Sequence, residues 1–277
     1  MLKETRRTLR EKEIWLKRRL GQNQVIDTSV LRKMVEYAEL TKNDVVLEIG
    51  AGAGNLTAML ADVAGTVIAV ERDKKLIDIL GENLRGRTNV KIILGDVLRM
   101  ELPIFNKIVS NLPFSISSEI TFKLLGLNFG LAVLMFQKEF AERLVAQPSS
   151  ENYGRLTVNI YYRAKVELLD EVPPSAFFPP PKVSAAIVRL RPRQPPFAVK
   201  DEKLFSNVVR ALFQHRNQLV RNALLHSFSE IFPESKMTRA EARTFIDTAL
   251  PGKLLKARVI ELAPEDFGEI TNSLTSP

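Results

Sequence analysis

The stretch LEIGAGAGNLTAML, residues 47–60, joins an apolar run, three glycines at alternate positions and apolar residues at helical spacing. That order reads as strand, tight turn, helix. At Gly50, Gly52 and Gly54 the missing Cβ atoms let the backbone pass close to a ligand. Alone the run is a weak signal, because glycine-rich turns after first strands serve dinucleotides, other adenosine cofactors or no ligand at all. The spacing is GxGxG, with Asn55 where the third glycine of a dinucleotide fingerprint would fall. An adenosine cofactor without a pyrophosphate is therefore favoured. No lysine-bearing phosphate loop is present, which argues against triphosphate hydrolysis.

The residues on either side give the turn its setting. SVLRKMVEYAEL (29–40) reads as a helix with Ser29 available as its cap, and short Val/Ile-rich runs then alternate with helical patterns to about residue 135. This is the pattern of an α/β domain with a mostly parallel sheet. TVIAVE ends at Glu71, 21 residues after Gly50, where a carboxylate at a strand tip accepts from ribose hydroxyls. Asp96, after VKIILG, stands at the next strand tip, suited to an adenine amine, with Val97 or Leu98 covering a ring face; a helix cap is the alternative.

Beyond the alternating region, TVNIYYRAKVELLDEV and AAIVRLRPR read as late strands. They are joined by PPSAFFPPPK, whose five prolines predict a stiff, exposed connection. RPRQPPFAVKDEK (191–203) reads as a linker, and LFSNVVRALF, NQLVRNALLHSF, TRAEARTFIDTAL and PEDFGEI read as short helices. Thr238 with Glu241 fits a capping box and Pro264 a helical first turn. The expected organisation is a basic arm and lip over 1–28, a main domain over 29–192, a linker over 193–203 and a small helical domain over 204–277.

Composition narrows the chemistry. The chain has 277 residues, 40 Lys and Arg against 32 Asp and Glu, a formal charge of +8, two His and no Cys. The excess of positive charge favours a polyanionic partner. Without Cys there are no disulfides, thiolate nucleophiles or Cys-ligated metals, and with only His215 and His226 a protein-built metal site is not expected. The N-terminal stretch MLKETRRTLREKEIWLKRRLGQ has no apolar run of secretory or membrane length, so the cytoplasm is the default compartment and no membrane partner is expected. It suits a short basic helix with Leu9, Trp15, Leu16 and Leu20 as contacts, a composition that leaves an organellar homologue open.

A second stretch, SNLPFS (110–115), again closes a strand, the fourth of the alternating series. Asn111 offers a side-chain oxygen, and Leu112 or Pro113 a main-chain carbonyl. Two acceptors aimed at the hydrogens of an aromatic amine favour pyramidalisation, freeing a lone pair otherwise delocalised into the ring. Phe114 supplies a face on which a base stacks. No histidine base is required, since the amine sheds its proton readily once it has become cationic. The alternative is a tight turn with a buried Phe.

These residues resemble the rRNA adenine N6,N6-dimethyltransferases, with the erythromycin-resistance methylases as cousins. The matching blocks run in family order: LGQNQVID (20–27), VLEIGAGAGNLT (46–57), AVERD (69–73), GDVL (95–98), NLPFSISSEI (111–120), FQKEFAERLVA (136–146), FFPPPKVSAAIVRL (177–190) and RALFQHRNQLVRNAL (210–224). The resemblance implies a Rossmann-like methyltransferase domain with a mostly parallel seven-stranded sheet, a C-terminal helical domain, and S-adenosylmethionine as cofactor. It places Gln22 and Asn23 beside the cofactor's methionine end, and Gly50 and Gly52 against the cofactor by their backbone. Glu71 falls at the ribose, Asp96 at the adenine with Val97 over a ring face, Val25 and Arg72 among the further cofactor contacts, and Asn111 between cofactor and target amine. Asn111, Leu112, Pro113 and Phe114 form the implied catalytic group.

The implied substrate is a pair of adjacent adenosines in the 3′-terminal hairpin of small-subunit rRNA within a pre-ribosomal particle, acted on by a monomer. Phe178 is expected opposite Phe114 across the target base, with Phe177 plugging a seam. Lys17, Arg18, Arg19, Arg143, Arg216 and Arg221 are expected to meet phosphates. His215 is expected to form a local contact or face RNA. The chain departs from the family at Gln24 and Val25, where Phe and Leu are usual, and at Phe114, where Tyr is common and the resistance methylases often carry Phe. Two alternatives remain at this level: a resistance-type enzyme acting on large-subunit rRNA, and a catalytically silent RNA-binding factor for ribosome assembly or organellar transcription.

Overall fold

The structure is a computed structural model that describes residues 23–274. Gln22, Lys17, Arg18, Arg19 and the expected basic helix lie outside the described residues. The described chain divides into two compact units, one holding residues 23–141 and 165–192, the other residues 142–164 and 193–274. No helix among the described residues is long and apolar enough to cross a membrane.

The first unit is built on a seven-stranded sheet. Its elements in chain order are β1 (Gln24–Val25), α1 (Thr28–Tyr37), β2 (Val45–Ile49), α2 (Asn55–Val63), β3 (Thr66–Glu71), α3 (Lys74–Asn83), β4 (Val90–Leu94), β5 (Lys107–Asn111), α4 (Ser117–Leu124) and β6 (Leu131–Gln137). After α5 (Lys138–Leu144) and α6 (Arg155–Arg163) come β7 (Ala164–Val172), β8 (Phe177–Phe178) and β9 (Ala185–Pro192). The sheet order is β4-β3-β2-β5-β6-β9-β7, and β1 and β8 form a separate two-stranded ribbon. β4 to β6 pair in parallel through β3, β2 and β5, and β9 joins β6 antiparallel. Central strands are almost wholly buried because helices cover both faces, which is why they read as unbroken apolar runs.

The second unit contains α6, α7 (Glu202–Phe213), α8 (Val220–His226), α9 (Phe228–Ile231), α10 (Arg239–Ala249), α11 (Gly252–Lys256) and α12 (Pro264–Ser273). The Thr238–Glu241 capping box forms, with Glu241 N–H donating to Thr238 Oγ1 and Thr238 N–H donating to Glu241 Oε2, and Pro264 opens α12.

Several sequence expectations change. The cap of α1 is Asp27, two residues before Ser29, and its carboxylate accepts Ser29 N–H at 2.9 Å. TVNIYYR is helical: Leu156, Val158, Ile160 and Tyr162 are all buried, so packing overrides the strand preference of β-branched and aromatic residues. Residues 142–164 fall with the C-terminal helices, outside the expected 29–192 domain. The cause is Tyr153, buried in one cluster with Phe205, Leu212 and Phe267, its hydroxyl donating to Leu262 O at 2.7 Å. The 193–203 segment is packed as well, for Phe197 contacts Tyr162 and Phe205 and fills the space above Gly268 where a Cβ would stand. The proline-rich connection is not fully exposed, since Ala176 and Phe177 are buried.

Candidate cofactor and target-base site

Successive strands run from β2 to β4 on one side and from β5 to β6 on the other, so the strand order reverses between β2 and β5. Ligands of open α/β sheets bind in the crevice outside the carboxyl ends at such a point. The β2–β5 ladder pairs Val46 with Lys107 and Leu47 with Ile108. Beyond it the buried Ser110 hydroxyl accepts Ile49 N–H at 2.7 Å. The strand ends thus stay tied while their backbones part, and a cleft enclosing about 940 Å³, part of it open to solvent, lies above them.

The β2 side is a self-supporting cradle. Gly50 and Gly52 have φ of +73° and +59°, a region that L side chains rarely adopt. A Cβ at Gly50 would stand 3.1 Å from the Pro113 ring, and one at Gly52 2.9 Å from Gln24 Nε2. Gly50 N–H donates to Val70 O at 2.8 Å, and Gly52 N–H to Glu71 Oε2 at 2.9 Å. Glu71 Oε1 accepts the N–H groups of Arg72 and Asp73, at 2.8 and 2.9 Å. One buried carboxylate therefore clamps two turns, and its two oxygens keep acceptor capacity beyond these three bonds. Asn55, in place of a third glycine, donates to Val25 O at 3.1 Å and ties β1 to the start of α2.

On the β5 side Asn111 closes the strand. Its Nδ2 donates to Asn23 O at 2.8 Å, and its Oδ1 is buried without a partner. Pro113 O accepts Ile116 N–H at 3.1 Å, and Phe114 O accepts from Ser117 Oγ at 3.1 Å. The ring neighbour of Phe114 is Phe177, not Phe178: their centroids lie 6.3 Å apart at 67°. Phe178 instead packs on Ala53, Leu76 and Ile79. Adjacent residues of a strand point to opposite faces, so β8 sends its two rings apart.

At the tip of β4, Asp96 Oδ1 accepts Leu98 N–H at 3.0 Å while Oδ2 lies 3.9 Å from Arg99 Nε. Lys123 of α4 holds this turn, its Nζ donating to Val97 O at 2.7 Å and Met100 O at 2.8 Å. The buried Val97 lines the cleft; Leu98 does not.

Glu48, on β2, is a lining residue that sequence reasoning missed. It is 2% exposed and its Oε2 has no partner. Burial pushes its pKa up to about 8, the Thr57 hydroxyl pulling the other way and the neighbouring Glu71 charge adding to the rise. Glu71 and Asp96 line the cleft against one cationic side chain among the described residues, that of the exposed Arg72, while Glu48, its pKa raised, is mostly protonated at neutral pH. Such a balance suits a ligand carrying positive charge.

Residues 15–256 match the family described as ribosomal RNA adenine dimethylase. The chain belongs to this family. It is 44% identical over 274 residues to the probable ribosomal RNA small subunit methyltransferase A of Methanothermobacter thermautotrophicus, covering 98% of this chain and 95% of that protein. Among solved structures it resembles a dimethyladenosine transferase from Plasmodium falciparum, with a TM-score of 0.78 and 30% identity over 89% of this chain and 95% of that one. The 23S rRNA methyltransferase ErmE matches with a TM-score of 0.66 and 29% identity, over 91% of this chain and 99% of that one. The Rossmann-like methyltransferase fold expected from the sequence is therefore the fold of this family member.

Within this dimethylase fold, Asn23, Val25, Gly50, Gly52, Glu71, Arg72, Asp96, Val97, Asn111 and Pro113 all line the one cleft. Gln24, Glu48 and Ser115 line it too and were not singled out as site residues; Glu48 was legible as the acidic residue inside an otherwise apolar buried strand. In the second unit, the Arg216 guanidinium donates to Ser150 O and Glu151 O, and Arg221 pairs with Asp247 at 2.6 Å. Both are engaged inside their own unit. Arg143 lies on α5 with its side chain exposed. His215 stacks edge-on to His226 at 5.2 Å. The described residues bring no three His, Asp or Glu together as metal ligands.

Proposed function

We propose that this chain uses S-adenosylmethionine to dimethylate N6 of two adjacent adenosines in the 3′-terminal hairpin of small-subunit rRNA, acting as a cytoplasmic monomer on a pre-ribosomal particle. The observation that supports it most is Asn111 Oδ1, a buried acceptor without a partner at the head of the cleft. Buried polar atoms are rarely left unpaired, and one here suits an incoming amine. The relative named as a small-subunit enzyme is more similar in sequence than the 23S enzyme, 44% against 29%, which favours the small-subunit substrate.

The residues fit the cofactor. The glycine turn provides room at its backbone, Glu71 and Asp96 keep acceptor capacity for ribose and adenine, and the acidic lining suits a cation. When bound, S-adenosylmethionine supplies an activated methyl group on a sulfonium. Asn111 Oδ1 accepts one hydrogen of the target amine. A main-chain carbonyl of Leu112 or Pro113 is the second acceptor; Pro113 lines the cleft, and its oxygen keeps a lone pair beside the bond from Ile116 N–H. Phe114, backed edge-on by Phe177, holds the base plane. The proton leaves to water once nitrogen is cationic, so rate enhancement rests on orientation and on fixed acceptors.

Phe114 also suits the resistance-type reading, in which large-subunit rRNA is the substrate. The two are separated by offering labelled cofactor with unmethylated small and large subunits and mapping the labelled adenosines. Two doubly labelled neighbours in the small subunit are expected. Label confined to the large subunit would replace the substrate assignment, and RNA binding with no label on either would favour a silent factor.

A further inference from the structure

Gln24 stands where the family usually has Phe, and the function proposed above gives it no task. β1 pairs antiparallel with β8 so that Gln24 faces Phe178 in register, with Val25 buried beside it. The Gln24 side chain lies against the glycine turn: Nε2 would be 2.9 Å and Cδ 3.1 Å from a Cβ on Gly52. Its Nε2 is buried and has no hydrogen-bond partner. An amide donor left in that state is destabilising, and in a ligand cleft the missing partner is a ligand acceptor.

Charge and donor type narrow which acceptor this is. The other unpartnered side-chain atoms lining the cleft are Glu48 Oε2 and Asn111 Oδ1, both oxygens. Among the described residues lining the cleft, Gln24 Nε2 is thus the one unpartnered side-chain donor nitrogen. S-adenosylmethionine has one anion, the carboxylate of its methionine moiety, and the Gln24 amide is a neutral donor for it beside the glycine turn, in a cleft whose Glu71 and Asp96 side chains are acceptors. Resting on the proposed cofactor, we infer that Gln24 Nε2 donates a hydrogen bond to the methionyl carboxylate, a contact that the family's usual Phe cannot make. The carboxylate is common to S-adenosylmethionine and S-adenosylhomocysteine, so the contact strengthens both and does not discriminate substrate from product.

Isothermal titration of the full chain tests this with three ligands: S-adenosylmethionine, S-adenosylhomocysteine and 5′-methylthioadenosine, which lacks the amino-acid moiety. Gln24→Met should weaken the first two by roughly tenfold, the range of a hydrogen bond to a charged group, and leave the third unchanged. Gln24→Phe, carrying the residue usual in the family, should behave as Gln24→Met and serves if Met disturbs the ribbon. Gln24→Glu should weaken the first two further, because it sets one carboxylate against another. Wild-type affinity in the Met and Phe variants overturns the inference, as does an equal loss for 5′-methylthioadenosine. Tighter binding by Gln24→Glu than by Gln24→Met also overturns it, since the amide oxygen would then face the ligand. If the wild-type chain binds none of the three, the cofactor assignment itself fails.

Discussion

The two walls of the cleft solve opposite problems. On the β2 side nearly every polar group has its partner inside the protein: Glu71 accepts three N–H groups and Val70 O holds Gly50. On the β5 side Asn111 is half satisfied, with Nδ2 bonded to Asn23 O and Oδ1 open. A wall that must hold its shape around a cofactor is stabilised by internal bonds. A wall that engages a reacting amine, the role proposed for the β5 side, keeps an acceptor unfilled, at a cost to stability. Glu48, a buried carboxyl with an unpartnered oxygen, is an exception on the first wall, and the Gln24 amide nitrogen against the Gly52 turn is another.

That contrast predicts that substitutions on the β2 side act mainly on stability and those on the β5 side mainly on turnover. The largest effect is expected at Glu48. Its carboxyl ionises near 4.5 when unfolded and near 8 when folded, so its contribution is full below pH 4.5 and is lost as pH rises through 8. In denaturant titrations without cofactor, the stability of wild type relative to Glu48→Gln should fall by about 1.4 kcal/mol per pH unit in that window, about 4 to 5 kcal/mol in all. A pH-independent difference would show that Glu48 is ionised in the folded chain.

Asn111→Ala comes next. It should lower methyl transfer by about 10²- to 10³-fold, as loss of a fixed catalytic hydrogen-bonding group does, while RNA affinity and melting temperature change little. Equal losses of RNA binding and transfer would erase the distinction between the walls. Glu71→Ala strands three N–H donors and should destabilise the fold by about 2 kcal/mol, together with weaker cofactor binding by calorimetry. Unchanged cofactor affinity would remove Glu71 from the ligand contacts. Lys123→Met releases the turn bearing Asp96 and should weaken cofactor binding by roughly 1 kcal/mol, about fivefold, with kcat preserved at saturation. The smallest effect is expected for Phe114→Tyr, within about 0.5 kcal/mol in kcat/KM, because the stacking face is kept.

The cleft was legible in the sequence because strand tips are marked by local chemistry. Gly50, Glu71, Asp96 and Asn111 each sit where an apolar run stops, and the sheet order brings those stops together. What was not legible depended on partners distant in the chain. Phe177 and Phe178 are equivalent in sequence until β8 pairs with β1 and fixes which ring faces which side. TVNIYYR alternates like a strand, and only the aromatic cluster of the second unit makes it a helix. Arg216 and Arg221 read as phosphate contacts because the groups that engage them, the carbonyls of Ser150 and Glu151 and the carboxylate of Asp247, are far away in the chain.

The bond from Asn111 Nδ2 to Asn23 O also fixes the polarity of an amide that would otherwise rotate freely between two nearly isosteric states. With nitrogen held by the residue just before β1, oxygen faces the cleft. In the proposed function, a base that presents an amino group is accepted there, while guanine or hypoxanthine, which present a carbonyl at the same ring position, meet oxygen against oxygen. On that proposal, discrimination between purines originates in the backbone of a segment that itself never has to touch the base.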